Sequence, residues 1–220
     1  MNDQKKSAYL QFFIALIVIA AMGTSVSSYI VLNYSEIAYE SSNESSIAVD
    51  AYIAESAGYF LKGYSDILHF LNKVERSELD GTDYNELLDI LNQAIGNMEQ
   101  ARMAYEKLTR IANDSPYNPA IIDRLLAFDY ERFQQENELN RDIFTKVRKY
   151  LEKGDVRGIY ARLLAYTTNI QNILIELKST VERGKFPIIR GLWQLNKQCS
   201  EALLFGENVS EIFLTIKRSK

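Results

Sequence analysis

The chain has 220 residues, 47% of them apolar and 25% charged, which is the composition of a packed globular chain rather than a disordered one. Net charge is −4, and because Asp3, Lys5 and Lys6 together contribute +1, the part beyond the N-terminal apolar stretch carries −5, a balance that disfavours nucleic acid as a partner. The single cysteine, Cys199, excludes an intramolecular disulfide and a thiolate metal cage.

Phe12 to Met22 is uninterruptedly apolar, and after the small residues Gly23 to Ser28 the apolar character resumes at Tyr29 to Leu32. From Ala8 to Leu32 the only strongly polar side chain is Gln11. A helix over that span rises ~37 Å, enough to cross a ~30 Å hydrocarbon core. Lys5 and Lys6 precede it, whereas Glu36, Glu40 and Glu44 follow and no Lys or Arg returns until Lys62, so the positive-inside bias puts the N-terminus in the cytoplasm. Residues 1–33 are therefore read as a cytoplasmic tip and a transmembrane anchor. A cleaved signal peptide accounts for the same charges, with small residues at Ala21-Met22-Gly23 and Ser25-Val26-Ser27. An uncleaved anchor is preferred because neither site is a clean A-x-A and cleavage would strand Tyr29 to Leu32 at a free end. The start also resembles a type IV pilin leader cut near Lys6-Ser7, without the acidic residue that pilins carry early in the mature chain. Ala20, Thr24 and Ser28 recur at spacing four, as do Gly23 and Ser27, a pattern that lets two membrane helices approach closely.

Residues 34–46 are rich in Ser, Asn and Glu and read as a juxtamembrane spacer; residues 47–220 read as an extracytoplasmic helical bundle. The first soluble helix carries Ile53, Ala57, Phe60, Tyr64, Ile67, Leu71 and Val74 in alternating steps of four and three, a heptad stripe of the coiled-coil kind. Asp80-Gly81-Thr82-Asp83 supplies a turn and an N-cap, with Glu86 placed to return a capping contact. The second stripe is Tyr84, Leu87, Leu91, Ala94, Met98, Ala101, Tyr105, Leu108, Ala112. A short connection makes these two helices antiparallel neighbours.

Asn113 to Pro119 breaks the chain, and Asn118-Pro119 restarts it with a cap and a first-turn proline. The third helix is read as one long element to Gly154, apolar at Ile122, Leu125, Leu126 and Phe133 and again from Ile143 to Leu151, with the polar run Gln134 to Asp142 solvated between them. Gly154-Asp155 ends it and caps the fourth, whose stripe is Val156, Ile159, Leu163, Tyr166, Ile170, Ile173, Leu177, Val181. Leu91 and Ile173 are the expected centres of the core. Gly184 stops the fourth helix. Phe186-Pro187 opens a fifth with Ile188, Leu192, Leu195, Cys199, Ala202 and Leu203 on one face, Trp193 and Leu204 widening it, and Gly206 as a bend or an end. The tail is amphipathic and closes on Lys217, Arg218 and Lys220, charges that suit a helix C-terminus. The fold class is therefore all-α: an N-terminal transmembrane helix and an up-and-down antiparallel bundle of four to five long helices.

Chemistry is sparse. The one histidine, His69, follows Asp66 by three residues, half of the E-x-x-H pair of di-iron bundles, but no second histidine completes such a site, and a local surface pair is expected. Cys199 lies on an apolar stripe and reads as a small buried hydrophobe. Tyr52, Tyr59 and Tyr64 cluster with Phe60 and Phe70 and read as core aromatics with phenols at the rim. Asn43, Asn113 and Asn208 each begin an N-x-S glycosylation pattern. No catalytic, cofactor-binding or metal-ligating residue is named, and no cofactor is expected.

The layout resembles the periplasmic helical-bundle sensor region of bacterial chemoreceptors, a likeness of architecture over residues 8 to about 184. It lacks their second span and cytoplasmic signalling helices, so the resemblance implies a signal passed to a partner. The expected function is a single-pass, membrane-anchored, periplasmic or extracellular module for protein interaction or ligand sensing, without catalysis. Its expected partners are the membrane through residues 8–32, a protein or a second copy of the chain, and a small molecule. The alternative is a structural envelope scaffold or a pilus-like subunit.

Overall fold

The computed structural model describes residues 44–80, 83–114, 119–137, 139–185, 187 and 189–218. The proposed anchor at 8–32, most of the spacer, the glycosylation pattern at Asn43 and the side chains of Lys217, Arg218 and Lys220 lie outside what it describes. Among the described residues no helix is long and apolar enough to cross a membrane.

Those residues form seven helices and no strand: α1 Glu44–Asp80, α2 Tyr84–Asp114, α3 Pro119–Leu126, α4 Tyr130–Glu136, α5 Arg141–Leu151, α6 Val156–Glu182 and α7 Ile189–Arg218. The helix α1 already begins inside the stretch read as spacer. Cross-helix partners fix the directions. Lys73 pairs with Glu86 at 2.7 Å, the Asn97 amide donates to Asp66 at 2.7 Å, and Lys107 lies 4.8 Å over the Tyr52 ring, so α2 descends as α1 rises. The Gln171 amide reaches Glu99 across α2 and α6, and Tyr166 reaches Glu201 across α6 and α7, which continues the alternation. With Asn169 to Gln198 as a second α6–α7 contact, and Tyr105 and Leu108 sharing a cavity wall with Tyr160 and Leu163, adjacent long helices are antiparallel around one apolar core.

Caps account for where the helices begin. Asp83 Oδ1 accepts the Asn85 and Glu86 backbone N–H groups at 3.0 and 3.3 Å, as the sequence predicts, whereas the Glu86 carboxylate turns to Lys73 instead of closing a capping box. Asp155 accepts the Gly158 N–H at 2.7 Å and starts α6. Gly154 and Gly184 take φ of 66° and 64°, left-handed positions that end α5 and α6 where a side chain would be strained.

The long third helix is the main correction. Asp129 caps α4 by accepting the Arg132 N–H, and Asn140 caps α5 by accepting from Asp142 and Ile143, so the chain folds into three short helices. The polar run Gln134 to Asp142 contains one of the two turns rather than the middle of a helix. Folding back packs Phe128 against Tyr130 and Phe133 at 5.0 and 5.3 Å between ring centres, and Phe133 against Phe144 at 6.2 Å. The Tyr130 hydroxyl donates to the Leu125 carbonyl at 2.9 Å. Four rings that a straight helix would spread along its length are thereby buried or half-buried together. The helix α5 then lies against α6 and α7, through Lys146–Glu201 at 2.9 Å and Tyr150 edge-on to Phe205.

Most stripe positions are buried as expected: Ile67, Leu91, Ala94, Met98, Ile159 and Ile170 are fully enclosed. Two differ. Ile173 is only half-buried, and its neighbour Leu174 takes the enclosed place. Trp193 does not widen the α7 stripe; it stands in solvent, 55% exposed, beneath the Lys197 ammonium. The α7 helix also runs straight through Gly206.

The latch between α2 and α6 carries an acid dependence. Glu99 accepts from Arg102 at 2.7 and 2.9 Å and from Gln171 at 2.7 Å, and these hydrogen bonds to its charged form hold its carboxyl at about 2. A folded pKa below the ordinary 4.5 means that its contribution is present above pH 4.5 and is lost as pH falls towards 2. Because Glu99 is about one-third exposed, solvent screening limits the effect to about 1 kcal/mol or less. Melts of the wild type should therefore lose stability between pH 4.5 and 2 more steeply than melts of Glu99→Gln; equal slopes would remove the latch from the stability of the bundle.

Candidate functional site: an apolar cavity among four helices

The backbones of α1 and α2, α2 and α6, and α6 and α7 approach closely, while α1 and α7 are not among the closely packed pairs. Side chains reach across that looser seam, and they leave a half-open cavity of about 90 Å³. Ile53, Ser56 and Phe60 of α1 face Leu203, Val209 and Ser210 of α7, while α2 contributes Tyr105 and Leu108 and α6 contributes Tyr160 and Leu163. No charged side chain lines it.

Gly206 of α7 explains part of the space. A Cβ built there meets no atom within 4 Å, and the residue itself lies in the cavity wall. The glycine that reads in the sequence as a helix end instead leaves a gap in the flank of a continuous helix. Polar groups in the wall are few. Ser56 Oγ donates to the Ile53 carbonyl at 2.9 Å and is hydrogen-bonded to Tyr105, whose phenol burial pushes up to about 12 against that bond. Ser210 Oγ is buried, and among the described residues it has no hydrogen-bond partner. Five threonines on these helices, including Thr167, Thr168 and Thr215, donate to the carbonyl four residues earlier; Ser210 makes no such bond. Next to Gly206 in the chain but not in the cavity wall, Glu207 is raised above the usual carboxylate range, first by burial and then by Glu211.

The residues weighed for chemistry in the sequence are not brought together. His69 is exposed, and the Asp66 carboxylate accepts from Asn97 rather than forming the expected pair with it. Cys199 is fully buried, with its thiol pushed well above the ordinary value by desolvation; this is the opposite of an activated nucleophile. Near it Tyr64 is buried with its hydroxyl unpartnered among the described residues and its pKa raised by burial, so this phenol does not reach the rim. Tyr52 and Tyr59 do, each under a lysine ammonium. Asn208 is 2% exposed and donates to the Leu204 carbonyl, so its glycosylation pattern is enclosed in the fold. Among the described residues no three His, Cys, Asp or Glu side chains gather where a metal could sit.

The cavity itself was not legible in the sequence. Its only signal was Gly206 inside an otherwise unbroken amphipathic pattern, with Ser210 one turn later. These features define an all-helical bundle with an uncharged interhelical pocket. Compared with known proteins, the chain matches no family model, no curated protein and no solved structure.

Proposed function

We propose that the protein is a membrane-anchored, extracytoplasmic helical-bundle module that senses a small molecule without catalysing a reaction and passes the signal to a protein partner. The observation that supports it is the cavity walled by all four long helices, concave and apolar with few polar groups, as ligand sites generally are. Its wall includes Ile53 to Leu61 of α1, the helix that leads back towards the proposed anchor at residues 8–32. A ligand that draws α1 and α7 together would bias the position of α1, and a bias of that kind is what a receptor transmits.

The test is complementation in cells lacking the protein, with the full-length chain. Gly206→Leu directs a side chain into the open space and replaces a helix-interior glycine with a strong helix former, so it should fold and reach the membrane. It is expected to abolish the cellular response. A His69→Gln, Cys199→Ala double variant is expected to retain the response, provided circular dichroism shows it folded, because neither side chain has a chemical role in this reading. Full complementation by Gly206→Leu would sink the sensing function and favour the envelope scaffold, most of all if the chain also assembles into a defined oligomer. Loss of response in the folded double variant would point to a thiol or imidazole mechanism instead.

A further inference from the structure

Resting on the sensing function, we infer that the ligand of the cavity is a small, uncharged amphiphile: one hydroxyl or comparable polar group that hydrogen-bonds Ser210 Oγ, carried on a compact hydrocarbon body. The volume limits its size. A cavity of about 90 Å³ exceeds the roughly 30 Å³ share of a liquid water several times, yet falls short of the roughly 150 Å³ that encloses a whole benzene. Because the cavity is half-open, a six-membered ring fits only with one edge in its mouth.

The lining limits its charge. With no Lys, Arg, His, Asp or Glu in the wall, an ion entering would shed its hydration and meet no compensating group, so a carboxylate or an amine is refused. The hydroxyl inventory limits its polarity. Ser56 and Tyr105 are already joined to one another, and Ser56 also donates to the Ile53 carbonyl. Ser210 is different: the residue lies in the wall, and its hydroxyl, enclosed there, is uncommitted among the described residues, so that a turn of its side chain presents it to an occupant of the cavity. Buried hydroxyls in folded proteins are nearly always hydrogen-bonded, because leaving one without a partner is costly. A lone water is a poor occupant, since it needs two to four polar neighbours and most of the cavity wall is hydrocarbon, Phe60, Leu163, Leu203 and Val209 among it. A molecule with one polar group and an apolar remainder satisfies both the hydroxyl and the hydrocarbon walls.

Phenol, toluene and benzoate separate the possibilities, because phenol and toluene have the same shape and differ only in a hydroxyl for a methyl, while benzoate carries a charge. Each is titrated calorimetrically into the full-length chain in nanodiscs, with empty nanodiscs titrated in parallel to subtract partitioning into lipid. Three proteins are compared: wild type, Ser210→Ala and Gly206→Leu. Phenol is expected to bind the wild type and to weaken about three- to tenfold in Ser210→Ala, the loss of one hydrogen bond. Toluene affinity should be unchanged or tighter in Ser210→Ala, benzoate should not bind, and Gly206→Leu should bind none of the three. Equal responses of phenol and toluene to Ser210→Ala would overturn the assignment of Ser210, and benzoate binding would overturn the uncharged class, while both outcomes leave the cavity as a binding site. Absence of phenol and toluene binding to folded wild type would overturn the inference together with the cavity as the sensing site.

Discussion

Leu91→Ala is expected to lower the stability of the bundle by about 2–5 kcal/mol, whereas Ile173→Ala, chemically a comparable truncation, should cost less than half as much. Leu91 is fully enclosed, in the centre of the α2 stripe that meets α1. Removing its isobutyl group forfeits the transfer free energy of the missing carbons and leaves a void that long, mutually braced helices cannot collapse into. Ile173 is half-buried beside the surface groove where α6 meets α7, so part of its side chain already touches water and the space it vacates opens to solvent. Urea titrations of both variants under one set of conditions decide it. Equal losses at the two positions would mean that the burial difference between them is not real.

The second large effect has a sign that local rules alone get wrong. Replacing a glycine inside a helix with alanine ordinarily stabilises by roughly 0.5–1 kcal/mol. Gly158→Ala should instead destabilise by about 1–3 kcal/mol. Gly158 stands in the first turn of α6, where a Cβ would lie 2.7 Å from Tyr150 Cε1 and closer still to Tyr150 Cδ1 and Asp155 Oδ2. Neither neighbour yields easily. The Tyr150 ring is held edge-on against Phe205, and the Asp155 carboxylate is the cap that accepts the Gly158 N–H. In a Tyr150→Leu background the flexible side chain can withdraw, so the added cost of Gly158→Ala should shrink by half or more. A cost unchanged in that background would assign the clash to the Asp155 cap rather than to the ring.

Much of the fold was readable from periodicity. Apolar residues at alternating steps of three and four place one face of a helix in the core whatever it packs against, which is why the α1 and α2 stripes from Phe60 to Leu108 match burial almost residue for residue. Where periodicity and burial part, the cause is specific. Leu174 rather than Ile173 is enclosed because a helix of 3.6 residues per turn drifts away from a strict heptad, and by the middle of α6 the next residue has rotated into the seam. By polarity alone the run between Phe133 and Ile143 reads as solvated helix, although Asn140-Arg141-Asp142 carries a capping residue followed by an acid in the first turn.

Composition and the order of apolar, capping and breaking residues were enough to specify that the described residues are helical, that α1 and α2 form a hairpin, and that Cys199 is core. These are local properties, set within a few turns of chain. The cavity, the uncommitted Ser210 hydroxyl, the inward-lying Tyr64 and the outward-lying Trp193 depend on how far α7 stands from α1 once α5 has docked against α6 and α7. No single helix encodes that distance. It emerges from side chains on four elements filling a shared volume, and a gap at Gly206 has meaning only when the opposing wall is in place.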